Sequence, residues 1–321
     1  MKKLLSIFLF LCALPAFCAE PLLLINPFRE TFVNFPTSAL QSEGLAVTIF
    51  LPEPALPLRQ KYPVVYVLGV GPKDAEAARA LLENSAQKAI LVGVNLTEEN
   101  LQDAEKVADF ISRELVLYID ANYPTLAEAS QRGIAAQGAG GGKVLAALLA
   151  KKNLFTKGVL LNGGHWPVSL AGADENMRLL LAGNRNNASV WAQTLQDSQK
   201  DFGPDFAVKL TEEKSLLAVI DLGYLWADAA RLMPKKFTAR VTPDHLSLSA
   251  KQPAFLAVSA TLANGQVFDF MALDIRLSPH YLNYDAESGA LTAIPGAQPG
   301  KVKISQNVGK KKFSTKIRLK K

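Results

Sequence analysis

With 321 residues and a formal net charge of +6, the chain is long enough for two domains and only mildly basic. Both cysteines, Cys12 and Cys18, fall within the first twenty residues. With cleavage after Cys18, the rest of the chain therefore has no disulfide framework. Beyond that point no segment is apolar for long enough to make a membrane helix.

Residues 1–19 have the layout of a signal peptide. Lys2 and Lys3 precede an apolar run from Leu4 to Leu14, Pro15 breaks it, and Ala16-Phe17-Cys18-Ala19 offers a cleavage site after Cys18 or Ala19. Export to the periplasm or the cell surface is the expectation. A lipid anchor on Cys18 would require a small residue before it, and Phe17 is bulky. Removal of the two lysines takes the formal charge from +6 to +4.

Going down the chain, residues 45–51 read as a strand stopped by Pro52 and Pro54. Val64 to Leu68 is a continuous apolar run, as in a strand covered on both faces. Asp74 to Gln87 has helical spacing, and Ala89 to Val94 is a second buried strand. Leu101 to Tyr118 places Ala108, Ile111, Leu115 and Tyr118 on one stripe of a helix. Ile134 to Ala136 leads into the glycines at 138–142, and Val144 to Ala150 leaves as a helix. Gly158–Leu161 and Met177–Leu181 are further short buried strands, and Leu217–Leu232 reads as a helix. Strands alternating with helices predict an α/β domain over 20–235, with a mostly parallel sheet covered on both faces.

From Thr238 the period changes to two. Leu256, Val258, Ala260 and Leu262 alternate with smaller residues, and Asn264-Gly265 supplies a hairpin turn. Six or seven short strands are expected over 236–321, packed as an all-β sandwich, with Pro234-Lys235-Lys236 at the boundary. Lys301 to Lys321 holds nine Lys or Arg and no acid. The simpler expectation is lysines guarding a sheet edge; the other is attraction to anionic wall polymer or lipid headgroups.

The stretch Gln137-Gly138-Ala139-Gly140-Gly141-Gly142-Lys143 is not a phosphate cradle. A P-loop needs glycine at 137 and Ser or Thr at 144, where Gln137 and Val144 stand; a dinucleotide fingerprint needs glycine at Lys143. The strand–turn–helix setting fits a G-x-S-x-G nucleophile elbow instead. Arg132 to Gly141 (Arg-Gly-Ile-Ala-Ala-Gln-Gly-Ala-Gly-Gly) resembles the R-x-I-A-G-x-S-M-G-G signature of the esterase family that includes feruloyl, enterochelin and S-formylglutathione esterases. Val47–Pro52 with Tyr62–Leu68, Phe110–Tyr123 and Phe155–Gly163 resemble other blocks of that family in the same order. The resemblance covers about 40–233 and implies an α/β-hydrolase fold.

It also implies positions for catalytic groups, and this chain departs at each. Gly138, between elbow residues Ala136, Gln137, Ala139 and Gly140, stands where the serine nucleophile is expected. The His-Gly pair of the oxyanion loop is Gly69-Val70 here. The acid is expected beyond Met177–Leu181, where Asn184 and Asn186 occur. The histidine is expected near Glu213–Leu216, which has none. His165 is a weak substitute, with Ser130, Ser169 and Ser215 as conceivable partners. The acidic pairs Glu98-Glu99, Asp103-Glu105 and Glu212-Glu213 have no nearby histidine and read as solvated faces, so neither metal nor cofactor is expected.

Residues 238–321 resemble group 2 bacterial Ig-like domains at Val241–Leu248, Ala257–Gly265, Leu282–Ala293 and Pro299–Ile304, with Phe270 or Met271 where that family has a tryptophan. Together these resemblances imply an exported, non-catalytic esterase-like domain joined to an Ig-like module, with a binding or scaffolding role at the cell envelope. A carbohydrate or peptide ligand is expected, and no nucleic acid. An active ester hydrolase with a relocated site, or an adhesin acting through the Ig-like module, are the alternatives.

Overall fold

The structure is a computed structural model that describes residues 22–26, 29–38, 40, 45–52, 60–151, 153–163, 177–184, 206–227, 234–249, 252–263, 265–270, 272, 275–286, 288–308 and 311–321. Its largest unit is a nine-stranded mixed sheet. The strands are β1 (Leu22–Asn26), β2 (Arg29–Val33), β3 (Val47–Phe50), β4 (Val64–Leu68), β5 (Ile90–Val94), β6 (Arg132–Gln137), β7 (Lys157–Leu161), β8 (Arg178–Gly183) and β9 (Phe206–Leu210), in the spatial order β1-β2-β3-β5-β4-β6-β7-β8-β9. From β5 to β9 every neighbouring pair is parallel; β1, β2 and β3 add an antiparallel edge.

Strand β4 shows why an apolar run without alternation belongs at the centre. Val64, Tyr66 and Leu68 enter one buried cluster and Val65 and Val67 the other. The first cluster is covered by α3 (Ala104–Phe110), a π-helical turn (Ile111–Leu115), α4 (Val116–Asn122) and α5 (Gly138–Ala150), through Val107, Phe110, Leu115, Ile119, Val144 and Leu148. The second is covered by α1 (Ala75–Asn84), α6 (Leu216–Val219) and α7 (Leu222–Trp226), through Ala78, Leu82, Leu216 and Leu225. Each of the larger of these side chains contributes roughly 1.5–3 kcal/mol of burial. Helices therefore lie on both faces of a mostly parallel sheet, as the alternation of elements predicts.

Several boundaries differ from expectation. The helix expected over 101–118 is broken at Asp103, because α2 (Glu98–Gln102) ends there and the Asp103 carboxylate caps α3, accepting from the Lys106 N–H at 3.2 Å. It then runs on to Asn122. Likewise 217–232 is interrupted: Asp221 caps α7, accepting from the Tyr224 N–H at 2.8 Å, and residues 228–233 lie outside the described residues. Strands β1, β2 and β9 lack a sequence signal strong enough to predict them.

The strands from Pro234 onward form two separate sheets. They are β10 (Pro234–Thr242), β11 (His245–Ser247), β12 (Ala254–Leu262), β13 (Val267–Phe270), β14 (Arg276–Ser278), β15 (Leu282–Asp285), β16 (Ala290–Ala293), β17 (Gly300–Val308) and β18 (Lys311–Lys320). One sheet runs β10-β12-β16-β15 with β13 also on β12; the other runs β11-β18-β17-β14. Nine strands thus replace the six or seven expected, because β11 and β14 are only three residues long and carry little pattern. Alternation on β12 buries Ala254, Leu256 and Val258 and exposes Phe255 and Ala257. The inner faces of both sheets share one cluster, with Leu256, Val258 and Leu291 meeting Val302, Ile304, Ile317 and Leu319. Pro234-Lys235-Lys236 are the first residues of β10. Among the described residues no helix is long and apolar enough to cross a membrane.

Candidate functional site

In a parallel sheet the strands end together, so their carboxyl ends make one rim. Here the rim carries Gly69 and Val70 after β4, Gly138 after β6, Asn162 after β7 and Asn184 after β8. Its backbone is unusual at three of these places: φ is +82° at Gly69, +73° at Gly138 and +51° at Asn162. Such values put an L-residue in the sparsely allowed left-handed region.

The sharpest of these turns joins β6 to α5. Gln137 is extended at φ −129° and ψ 146°, and Gly138 then swings the chain into the helix. A Cβ added at Gly138 would meet nothing within 4 Å. The front of this turn is therefore geometrically open, and glycine leaves it with no side chain. The next two glycines relieve crowding instead. A Cβ at Gly140 would lie 3.0 Å from the Leu101 Cβ on α2, and one at Gly141 would lie 3.1 Å from the Ala136 Cβ. They let α5 pack tightly against both α2 and its own strand.

The profile of the Esterase family, described as "Putative esterase", matches residues 38–216. The chain belongs to this family. Among solved structures it is similar to an IroE-like serine hydrolase from Shewanella oneidensis, at 19% identity and a TM-score of 0.47 over 62% of this chain and 78% of that one. It is also similar to the enterobactin esterase of Shigella flexneri (14% identity, TM-score 0.45, 57% of this chain and 53% of that one). A third is a ferulic acid esterase from Anaeromyces mucronatus (12% identity, TM-score 0.46, 62% and 92%). Among curated proteins none matches.

The family's match spans the elbow, and the structure brings several of the singled-out residues to one rim. Ala136 is buried and ends the apolar part of β6; Gln137 and Ala139 are exposed beside Gly138. Gly69 is exposed and Val70 is buried against the neighbouring face. Asn184 is exposed at the end of β8. Asn186, His165 and Ser169 lie outside the described residues. Ser130 is not at the rim. It precedes the first residue of β6, roughly 20 Å of strand from Gly138, and its carbonyl accepts from Trp226 Nε1 at 3.2 Å.

Two rim features have no local signal in the sequence. The Gln137 side chain donates through Nε2 to the Lys214 carbonyl at 3.2 Å, tying the elbow to the segment before α6 across 77 residues. That contact sets Ser215, exposed at the start of α6, next to a neighbour of the elbow. Asn162 is the second; its left-handed turn follows from Asn being tolerant of that region.

The opposite end of the sheet holds the buried charges. Arg132 Nη2 donates to Asp120 at 2.5 Å and to the Ala127 carbonyl at 2.9 Å, while Thr125 Oγ1 donates to the other Asp120 oxygen at 2.7 Å. Arg178 Nη1 donates to the carbonyls of Tyr224 and Leu225 at 3.2 and 3.1 Å, closing the end of α7. Burial pushes the Tyr66 phenol far above its ordinary value, with the Asp120 charge adding and Arg132 opposing. None of these groups reaches the rim, so their part is to hold the frame.

Proposed function

We propose that this chain is an exported, non-catalytic member of the esterase family, in which an α/β-hydrolase frame serves binding or scaffolding at the cell envelope. Gly138 carries the reading: the strand-to-helix turn keeps its left-handed conformation and open front, while the residue there has no hydroxyl to attack a carbonyl. The absence of histidine from 211–227 supports it, since an acyl-transfer nucleophile needs a base within hydrogen-bond reach. The strands from Pro234 onward are, on this reading, an Ig-like β-sandwich that acts as a spacer or adhesive unit, and the rim is where a carbohydrate or peptide ligand binds.

The test is hydrolysis of p-nitrophenyl acetate by the purified full chain, with labelling by a fluorophosphonate probe alongside. No turnover above buffer and no label are expected. A second reading, an active carboxylic-ester hydrolase with a relocated nucleophile, is supported by family membership and by Ser215 beside the Gln137–Lys214 contact. A fluorophosphonate adduct on Ser215, lost in Ser215→Ala together with turnover, would establish that reading and end the first. An adhesin acting through its C-terminal sheets is a third reading, favoured by wall binding that survives any change at the rim.

A further inference from the structure

The basic run at the C-terminal end does not simply guard an edge. In the β11-β18-β17-β14 sheet, β17 and β18 are the two inner strands. Register places Lys303 of β17 between Lys316 of β18 and Ser278 of β14, and Arg318 of β18 between Lys301 of β17 and His245 of β11. Edge protection accounts for Lys312 and Lys316, which lie where β18 has a single neighbour; it does not account for Lys303 or Arg318. Alternation sends Val302, Ile304, Ile317 and Leu319 to the core and leaves Lys301, Lys303, Lys312, Lys316, Arg318 and Lys320 exposed on the other face, with Arg276 beside them.

Like charges directly across a strand pair repel, and here Lys303 faces Lys316 and Lys301 faces Arg318. None of the cross-strand partners on this face is an acid. The Asp244 carboxylate, before β11, is hydrogen-bonded to His245 Nδ1 at 3.0 Å and also interacts with Lys320 and Arg318 at one end of the face, leaving Lys301, Lys303, Lys312 and Lys316 with no acid across from them. A sheet that concentrates cations against its own stability is complementary to a dense array of anions.

The shape and chemistry of the face select the array. Cationic rows are spaced by about 7 Å along the strands and about 5 Å between them, so the charges spread in two dimensions. A single polyanion strand would meet one row; a planar sheet of headgroups meets them all. Between the cations stand the exposed Ser278, Ser314 and Asn307, with no apolar side chain to insert; the one ring in these rows is the His245 imidazole, which Asp244 holds. We propose that this face binds peripherally to the surface of an anionic lipid bilayer, independently of whatever the esterase-like rim does.

The experiment is co-sedimentation of the full chain with vesicles of phosphatidylcholine alone and with roughly a third phosphatidylglycerol. Binding only to the second, and release on going from about 0.05 to 0.5 M salt, are expected. The triple variant Lys303→Gln, Lys316→Gln, Arg318→Gln should lose about a hundredfold in vesicle affinity, and Lys303→Gln or Arg318→Gln alone about fivefold each. A charge-matched control, Lys61→Gln, Lys73→Gln, Lys236→Gln, should bind like the parent, and a thermal melt should show the triple variant folded. Absence of vesicle binding, equal losses in the control, or capture by duplex DNA or polyphosphate with no capture by vesicles would each overturn the proposal. If the triple variant fails to fold, the two single variants decide.

Discussion

The two ends of the large sheet are built on opposite terms. At the amino ends, Arg132, Thr125 and Asp120 are drawn together in a nearly dry network, and Arg178 closes a helix with two carbonyl contacts. At the carboxyl ends the turns are left-handed, the glycines are exposed or nearly so, and the polar side chains face water. An enzyme frame needs both: the first end holds the strands in register, and the second tolerates costly backbone so that groups can stand proud of the sheet. This chain keeps the contrast although Gly138 presents no group. The sharp strand-to-helix turn therefore forms without a side chain at its apex, since glycine meets the backbone demand with little strain.

The comparison breaks most readily at the buried end. Asp120→Ala strands the Arg132 guanidinium in a site where it is 9% exposed, and the loss should be about 3–5 kcal/mol, read as a shift of the urea midpoint. Next in size is crowding under the elbow. Gly141→Val pushes a side chain into the Ala136 Cβ, which a single Cβ would already approach at 3.1 Å, and about 1–3 kcal/mol of destabilisation is expected from the same measurement.

The rim itself should be more forgiving. Gly138→Ala meets no atom within 4 Å and bears only the left-handed backbone, a cost of about 1–2 kcal/mol. Gly138→Ser should cost the same and remain unlabelled by fluorophosphonate, because no base is supplied with it. Labelling of that variant would show that the catalytic partners are present after all. The smallest effect concerns the clamp between α3 and the end of α5, where Lys151 Nζ donates to Asp109 at 3.0 Å. That hydrogen bond holds the half-buried Asp109 carboxyl below its ordinary value. Its stabilisation is thus present above the usual carboxylate pKa of about 4 and is lost as pH falls through the lowered folded value. Lys151→Met should flatten that acid limb of a melting-temperature profile while leaving the neutral region nearly unchanged.

What the sequence discloses is local in origin. The run Val64–Leu68 and the glycines after Ala136 announce a central strand and a sharp turn, because burial on two faces and a left-handed residue each leave a compositional trace. The helix breaks at Asp103 and Asp221 are missed, as an Asx cap in a continuous apolar stripe looks like one more polar position. Strand β9 is missed because a five-residue edge strand needs its neighbour to define it. At the site, Gly138 and Gly69 are legible and the Gln137–Lys214 contact is not, since nothing in either segment points across 77 residues. The cationic face shows the same limit: its lysines are countable in sequence, but only the register reveals that they share one surface with no acid opposite.

Asp221 has a further consequence. One of its oxygens accepts from the Tyr224 N–H at 2.8 Å and the other from Gln266 Nε2 at 2.6 Å, while Leu262, at the start of the β12–β13 turn, joins the core of the large sheet. The carboxylate is a rivet between the hairpin and α7, and Arg178 carries the joint on to β8. Were the C-terminal sheets held fast on a surface and the chain tugged, this joint would share the load with the contact between β13 and β9 and with the covalent link between the two parts.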